Sequence, residues 1–284
     1  MTPLVTSEWL AAELGKSDIR VIDATALAPG HDPAGSSGPR AAFEAAHIPG
    51  AVFFDLEEIV DPASTLPHML PPPEKFASRM QALGLGDGSR IVVYDNSPLR
   101  SAARVWWMLT LFGAHEVSIL DGGFAKWQAE GRPTESGKPV VRHRHFTVWA
   151  DKSVVRTQAQ MLENLKTHAE QVVDARPQSR FEGRDPEPRA GLRSGHIPGS
   201  RSLPIDRLFN EDGTWKQGDA LRAAFADAGV DIEKPIVTTC GSGITAAVIY
   251  FGATLLGAKQ LGLYDGSWTE WGASATNPVV TGAA

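Results

Sequence analysis

The chain has 284 residues, 33 acidic and 27 basic, with a net charge of -6 near neutral pH and 42% hydrophobic residues. That length exceeds one domain of roughly 100 to 200 residues and suggests two of similar size, while the acidic balance argues against a surface built for nucleic acid or anionic lipid. The single cysteine, Cys240, excludes an internal disulfide and a thiolate metal site within one chain, leaving a buried structural thiol or a reactive one. The N-terminal MTPLVTSEWLAAELG carries acids early and no basic-then-apolar run, unlike a secretory signal. The longest strongly apolar stretch, Ala246 to Ala258, is shorter than the ~20 residues needed to span a bilayer. A cytoplasmic protein without a membrane partner is the expectation. No GxGxxG fingerprint and no histidine pair at ligand spacing occurs, so neither metal nor organic cofactor is expected.

In chain order the first predicted strand is RVIDA from Arg20, followed by the turn AAHIPGAVFFD from Ala45. Next come a strand in RIVVYDNS from Arg90, a helix in SAARVWWMLTLFGA, a strand in VSILDG and a terminal ILDGGFAKW ending at Trp127. After Thr134, proline, glycine and basic residues replace the periodic apolar sequence, the signature of a linker. The same landmarks then return in the same order: QVVDAR, SGHIPGSRSLP, PIVTTCGS, TAAVIYFGATLLGA, and LYDGSWTEW ending at Trp271. The chain therefore reads as a duplicated α/β domain, 1–135 and 156–284 about a linker at 136–155, each copy a mostly parallel sheet flanked by helices. His47 and His196 match between the copies, including the copy without a cysteine, and read as structural. The terminal Trp127 and Trp271 and the paired Trp106 and Trp107 read as core aromatics.

Ligands bind outside the carboxyl ends of parallel strands, and Cys240 stands at the end of PIVTTC, directly before a helix. Gly241 and Gly243 let the loop Cys240–Thr245 curl, so that N–H groups at a helix start face an anion. A sulfur there would be held as a nucleophilic anion, and a persulfide would be cradled by the same donors. A cysteine-dependent phosphatase needs an arginine closing this loop; Thr245, Ala246 and Ala247 close it instead.

The repeated HIPG turns, the DGG and DGS segments ending in tryptophan, and the CGSGIT loop together resemble the tandem-repeat sulfurtransferases, comprising rhodanese and 3-mercaptopyruvate sulfurtransferase. The resemblance covers nearly the whole chain. It implies a catalytic C-terminal repeat carrying sulfur as a Cys240 persulfide and an N-terminal repeat that has lost the cysteine, and Asp95 aligns with Cys240. CGSGIT is similar to the CGSGVT loop of the mercaptopyruvate branch, whereas thiosulfate-using members place basic residues after the cysteine. Gly241 and Ser242 supply no cation, and 3-mercaptopyruvate, with one carboxylate and a keto group, suits arginine forks and neutral donors.

The resemblance further implies that Arg180 and Arg189 bind the substrate, with Gly241, Gly243, Ile244 and Thr245 forming the rest of the binding loop. The bland alternatives are Arg180 paired with Asp174 or Glu182 and Arg189 exposed on a loop. Arg176, Arg184 and Arg193 carry no assignment. Ser242 and His68 are candidates for a proton relay, with an orienting carboxylate among Asp55, Glu57, Glu58 and Asp61. The implied acceptor is thioredoxin or another thiol, with cyanide as its laboratory substitute. Thiosulfate:cyanide sulfur transfer through the same persulfide, and a noncatalytic binding or sensing module, are the competing readings.

Overall fold

A computed structural model describes residues 1–28 and 38–283, arranged as two compact units. The first comprises residues 1–61, 70–151 and 211–214; the second comprises 62–69, 152–210 and 215 onward. The stretch expected as a linker lies with the first unit up to Asp151. Its backbone is engaged there: the Asp87 N–H donates to the His145 carbonyl at 2.9 Å and the Trp149 N–H to the Phe112 carbonyl at 3.1 Å.

The first unit holds β1 (Leu4–Val5), β2 (Ile19–Asp23), β3 (Ala51–Phe53), β4 (Arg90–Tyr94) and β5 (Glu116–Leu120) in the order β1-β5-β4-β2-β3. The second holds β6 (Val155–Arg156), β7 (Gln171–Asp174), β8 (Arg201–Ser202), β9 (Ile236–Thr239) and β10 (Leu261–Tyr264) in the order β6-β10-β9-β7-β8. Every pairing is parallel. The central strands are continuous apolar runs rather than alternating ones because helices cover both faces. Ile91, Val92, Val93, Ile236 and Val237 are almost wholly buried. The edge strands of two or three residues are too short to show a period in the sequence, and none was expected.

The expected helices form as Ala102–Leu111 and Ala246–Leu255, each leaving the carboxyl end of a central strand, β4 or β9. In the second sheet the chain passes outward from β7 to β8, then returns to β9 and continues outward to β10 on the other side. The crevice between the carboxyl ends of β7 and β9 is thus the point where strand order reverses, the place where open α/β sheets bind ligands.

The histidines of the HIPG turns do the same local work in both units. His47 Nδ1 donates to the Phe43 carbonyl and His196 Nδ1 to the Phe181 carbonyl, each at 2.8 Å, and each ring stacks on that phenylalanine. The terminal tryptophans are buried and donate from Nε1 to a later proline carbonyl, Trp127 to Pro133 at 2.8 Å and Trp271 to Pro278 at 2.9 Å.

The second unit adds a fastening that sequence reading left unassigned. The Arg193 guanidinium donates to the carbonyls of Trp271, Gly272, Ser274 and Asn277 at 2.5 to 3.4 Å. Replacing Arg193 by Met keeps the apolar stem and removes these donors. Urea unfolding of that variant is expected to show a loss of about 2–3 kcal/mol, since hydrogen bonds to a charged group contribute more than neutral ones.

Candidate functional site

Cys240 follows β9 and is buried, with the Gly243 N–H directed at its Sγ at 3.1 Å. Gly243 has φ +83°, which turns the loop back on the sulfur before the helix begins. Ile244 is buried behind it, and Thr245 precedes the helix in helical conformation without a side-chain cap.

The loop is fixed by the turn after β10. The Cys240 N–H donates to Ser267 Oγ at 3.2 Å, and the Cys240 and Gly241 carbonyls each accept at 2.9 Å, from the N–H groups of Trp268 and Thr269. Ser267 Oγ in turn donates to the Tyr264 carbonyl at 2.8 Å. Ser267 is fully buried and adopts φ +48°, a left-handed conformation that is strained for a residue bearing a Cβ. Its counterpart in the first unit is Gly123, φ +58°, where a Cβ would come within 2.5 Å of the Asp95 carbonyl oxygen. The serine therefore occupies a position whose backbone favours glycine, and its hydroxyl holds the Cys240 N–H.

Ser242 and His68 meet: Ser242 Oγ and His68 Nδ1 are 2.8 Å apart, both side chains are buried, and residues 62–69 belong to the same unit as Cys240. His68 is held at φ +60°. Of the four carboxylates considered as its orienting partner, Asp55 pairs with Arg40 at 3.0 Å and Glu58 with Arg79 at 2.6 Å.

Arg180 lies in the short helix Gln178–Phe181 after β7, across the crevice from Cys240. Its Nη2 would stand 3.5 Å from a Cβ on Gly241, so the guanidinium borders the cysteine loop and a side chain at 241 would press on it. Its acidic partner is neither Asp174 nor Glu182. Asp174 is taken by Arg176, whose Nε and Nη2 donate to it at 2.7 to 3.1 Å while Nη1 reaches Glu187 at 2.8 Å. Glu187, whose side chain is 1% exposed, binds Arg180 through both carboxylate oxygens. Arg176 also lies over the Trp268 ring, 4.2 Å from its centroid. Two guanidinium groups and two carboxylates thus form one buried chain, Asp174–Arg176–Glu187–Arg180, with only its last member opening toward the loop.

Arg189 is half-buried, and Arg184 pairs with Glu182 at 2.5 Å on the exposed side. Sequence reasoning missed Glu187, Arg176 and Ser267. The DPEP run between Arg184 and Arg189 was a signal for the first, and the change from DGG to DGS between the copies was a signal for the last. Among the described residues no group of three His, Cys, Asp or Glu side chains is placed to hold a metal ion.

The first unit repeats the loop with Asp95 in place of the cysteine. Its carboxylate turns inward and accepts the N–H groups of Ser97 at 3.0 Å and Ala102 at 2.7 Å, so an internal anion occupies the start of the helix. The Phe124 N–H donates to the Asp95 carbonyl at 3.0 Å, as Trp268 does to Cys240.

A model of the rhodanese-like domain matches residues 6–130 and again 157–274. The chain belongs to the rhodanese family and carries two copies of its domain. It is 42% identical over 278 residues to a 3-mercaptopyruvate sulfurtransferase of Escherichia coli K12, covering 98% of each chain. It is 41% identical over 275 residues to a thiosulfate sulfurtransferase of Cricetulus griseus, covering 94% of this chain and 91% of that one. The crystal structure of SseA from Escherichia coli, which represents the rhodanese fold of 3-mercaptopyruvate sulfotransferases, superposes with a TM-score of 0.86 at 40% identity, covering 94% of this chain and 99% of that one.

Two outcomes follow from this geometry. Glu187→Gln leaves Arg176 with Asp174 alone and takes from Arg180 its carboxylate partner, and urea unfolding is expected to show a loss of about 3 kcal/mol or more, the usual result of breaking a buried ion pair from one side. Burial raises the Asp95 carboxyl to about 6, with the two N–H donors acting against that rise. Because this folded value lies above the unfolded one near 3.9, the contribution is fully present at low pH and is lost as pH rises from about 4 to about 6. Relative to Asp95→Asn, the native chain is expected to lose roughly 3 kcal/mol of unfolding free energy between pH 4 and pH 7, followed by chemical denaturation at each pH; parallel profiles would refute this.

Proposed function

We propose that the chain transfers sulfur from 3-mercaptopyruvate to a thiol acceptor through a persulfide on Cys240, releasing pyruvate. The observation that carries this reading is the Cys240 sulfur at the strand-order reversal, facing the Gly243 N–H at a helix start, with Arg180 bordering the same loop. The Cys240 thiolate attacks the substrate sulfur; the bond from that sulfur to carbon breaks, and its electron pair passes to carbon as the enolate of pyruvate. The outer sulfur stays on Cys240 as a persulfide anion, and a proton added to the enolate carbon completes pyruvate. An acceptor thiolate then takes the outer sulfur and restores the Cys240 thiolate.

Arg180 and Arg189 hold the carboxylate and keto oxygen, and Gly241, Gly243, Ile244 and Thr245 shape the loop around the reacting sulfur. Ser242 and His68, already hydrogen-bonded, relay the proton. Ser267 acts one step removed, by holding the Cys240 backbone. The charge arrangement favours the keto acid over thiosulfate. The residues after Cys240 are neutral, and the positive charges of Arg176 and Arg180 are matched by Asp174 and Glu187, which suits a single carboxylate better than a dianion. Thioredoxin, or another dithiol of a reducing cytoplasm, is the acceptor in this reading; no helix among the described residues is long and apolar enough to cross a membrane.

Sulfur transfer to cyanide, measured with each donor and paired with intact-mass detection of one added sulfur, tests the proposal. Mercaptopyruvate is expected to be preferred by kcat/KM, and Cys240→Ser to be inert with both donors. A preference for thiosulfate overturns the donor, and full activity of Cys240→Ser overturns the mechanism. Arg180→Ala is expected to raise KM for mercaptopyruvate roughly tenfold or more, the loss of one charged, bidentate contact.

A further inference from the structure

Away from the Asp95 loop, at the amino ends of β2 and β3, the first unit has an open cavity of about 520 Å³. Leu14, Val52 and Leu83 contribute apolar walls, and Arg20, Arg142 and Arg144 stand around it. The arginines arrive there through specific packing. Residues 139–147 cross the turn at 83–87 as a strap: the Asp87 N–H is bonded to the His145 carbonyl, and the Asp87 carboxylate accepts the N–H and hydroxyl of Thr147 at 2.8 and 2.7 Å. The approach is close enough that a Cβ on Gly84 would come within 2.8 Å of Val141 Cγ1, and one on Gly86 within 2.7 Å of Arg144 Cβ. Arg142 and Arg144 are thereby laid beside Arg20, whose Nε donates to the Gly84 carbonyl at 3.1 Å and Nη1 to the Ile19 carbonyl at 2.5 Å. Arg144 itself donates only to the Ser17 carbonyl, at 3.3 Å.

Of the carboxylates nearby, Asp18 binds Arg90 at 2.7 and 3.2 Å and Glu13 pairs with Lys16 at 2.5 Å and Arg90 at 2.8 Å; Glu135 borders the cavity itself and accepts the Gly50 N–H at 2.9 Å. Among the described residues, none of Arg20, Arg142 and Arg144 has a carboxylate in ion-pair contact. Burial first, and the neighbouring Arg144 charge second, push the Arg20 guanidinium below its ordinary pKa, with the Asp18 charge acting against them. An anion entering the cavity relieves that repulsion, and guanidinium forks match a carboxylate or phosphate.

We infer that this cavity binds a small amphiphilic anion, its carboxylate or phosphate head held by Arg20, Arg142 and Arg144 and its apolar body lying against Leu14, Val52 and Leu83. The cavity size falls in the range typical of small-molecule sites. The test is titration of the full ¹⁵N-labelled chain with octyl phosphate and with octanoate below their micelle concentrations, followed through amide shifts. Saturable shifts at Gly50, Gly84 and Val141 are expected, and the tighter of the two probes identifies the head group. The exposed pair Arg142→Glu/Arg144→Glu is expected to weaken binding roughly tenfold or more, as removal of two charged contacts should, with sulfur-transfer activity unchanged. Arg142→Gln/Arg144→Gln should fall between. If neither probe moves those amides, or if the charge-reversed pair binds as well as the native chain, the site is refuted. Equal binding of octanol refutes the anionic head, and equal binding of inorganic phosphate refutes the apolar body.

Discussion

Cys240 is placed by its backbone rather than by its side chain. Its N–H is held by Ser267 Oγ, its carbonyl by the Trp268 N–H and the next carbonyl by the Thr269 N–H, so the end of β9 and the turn after β10 are one rigid object. A sulfur carried on a strand end is held in place this way, because the loop beyond it must curl without carrying the sulfur away from its donor. The left-handed Ser267 shows what the arrangement costs locally: a strained residue, stable because Tyr264 and Cys240 saturate its hydroxyl.

The duplication separates what the fold requires from what the chemistry requires. Both units keep the histidine stacked on phenylalanine, the tryptophan bonded to a proline carbonyl, and the N–H tie from the last turn to the loop residue. Among the described residues, only the second has the cysteine, the serine at the left-handed position and the buried chain of two arginines and two carboxylates. In the first, Asp95 brings a carboxylate to the helix start from within. The same backbone geometry thus serves a resident carboxylate in one copy and a cysteine sulfur in the other.

The parts of this molecule legible in the sequence were those written as pattern. Buried central strands appeared as apolar runs, the helices after β4 and β9 as apolar segments, and the duplication as recurring landmarks. Of the candidate site, Cys240 drew notice because one cysteine stood between a strand and a helix, and Arg180 and Arg189 only through family resemblance. Glu187 was not, because a carboxylate among several arginines in a polar loop has no sequence mark telling which cation it serves; burial and distance decide that. Ser267 escaped for a related reason: a backbone in the left-handed region is visible in the sequence only when glycine occupies it. The two-residue edge strands carry no period to read.

The membership of residues 62–69 in the second unit bears on what either repeat can do by itself. His68 is encoded within the first repeat yet hydrogen-bonds Ser242 in the second. A second repeat expressed alone has no sequence from which to draw that imidazole, so the Ser242–His68 bond belongs to the tandem chain and not to the single domain.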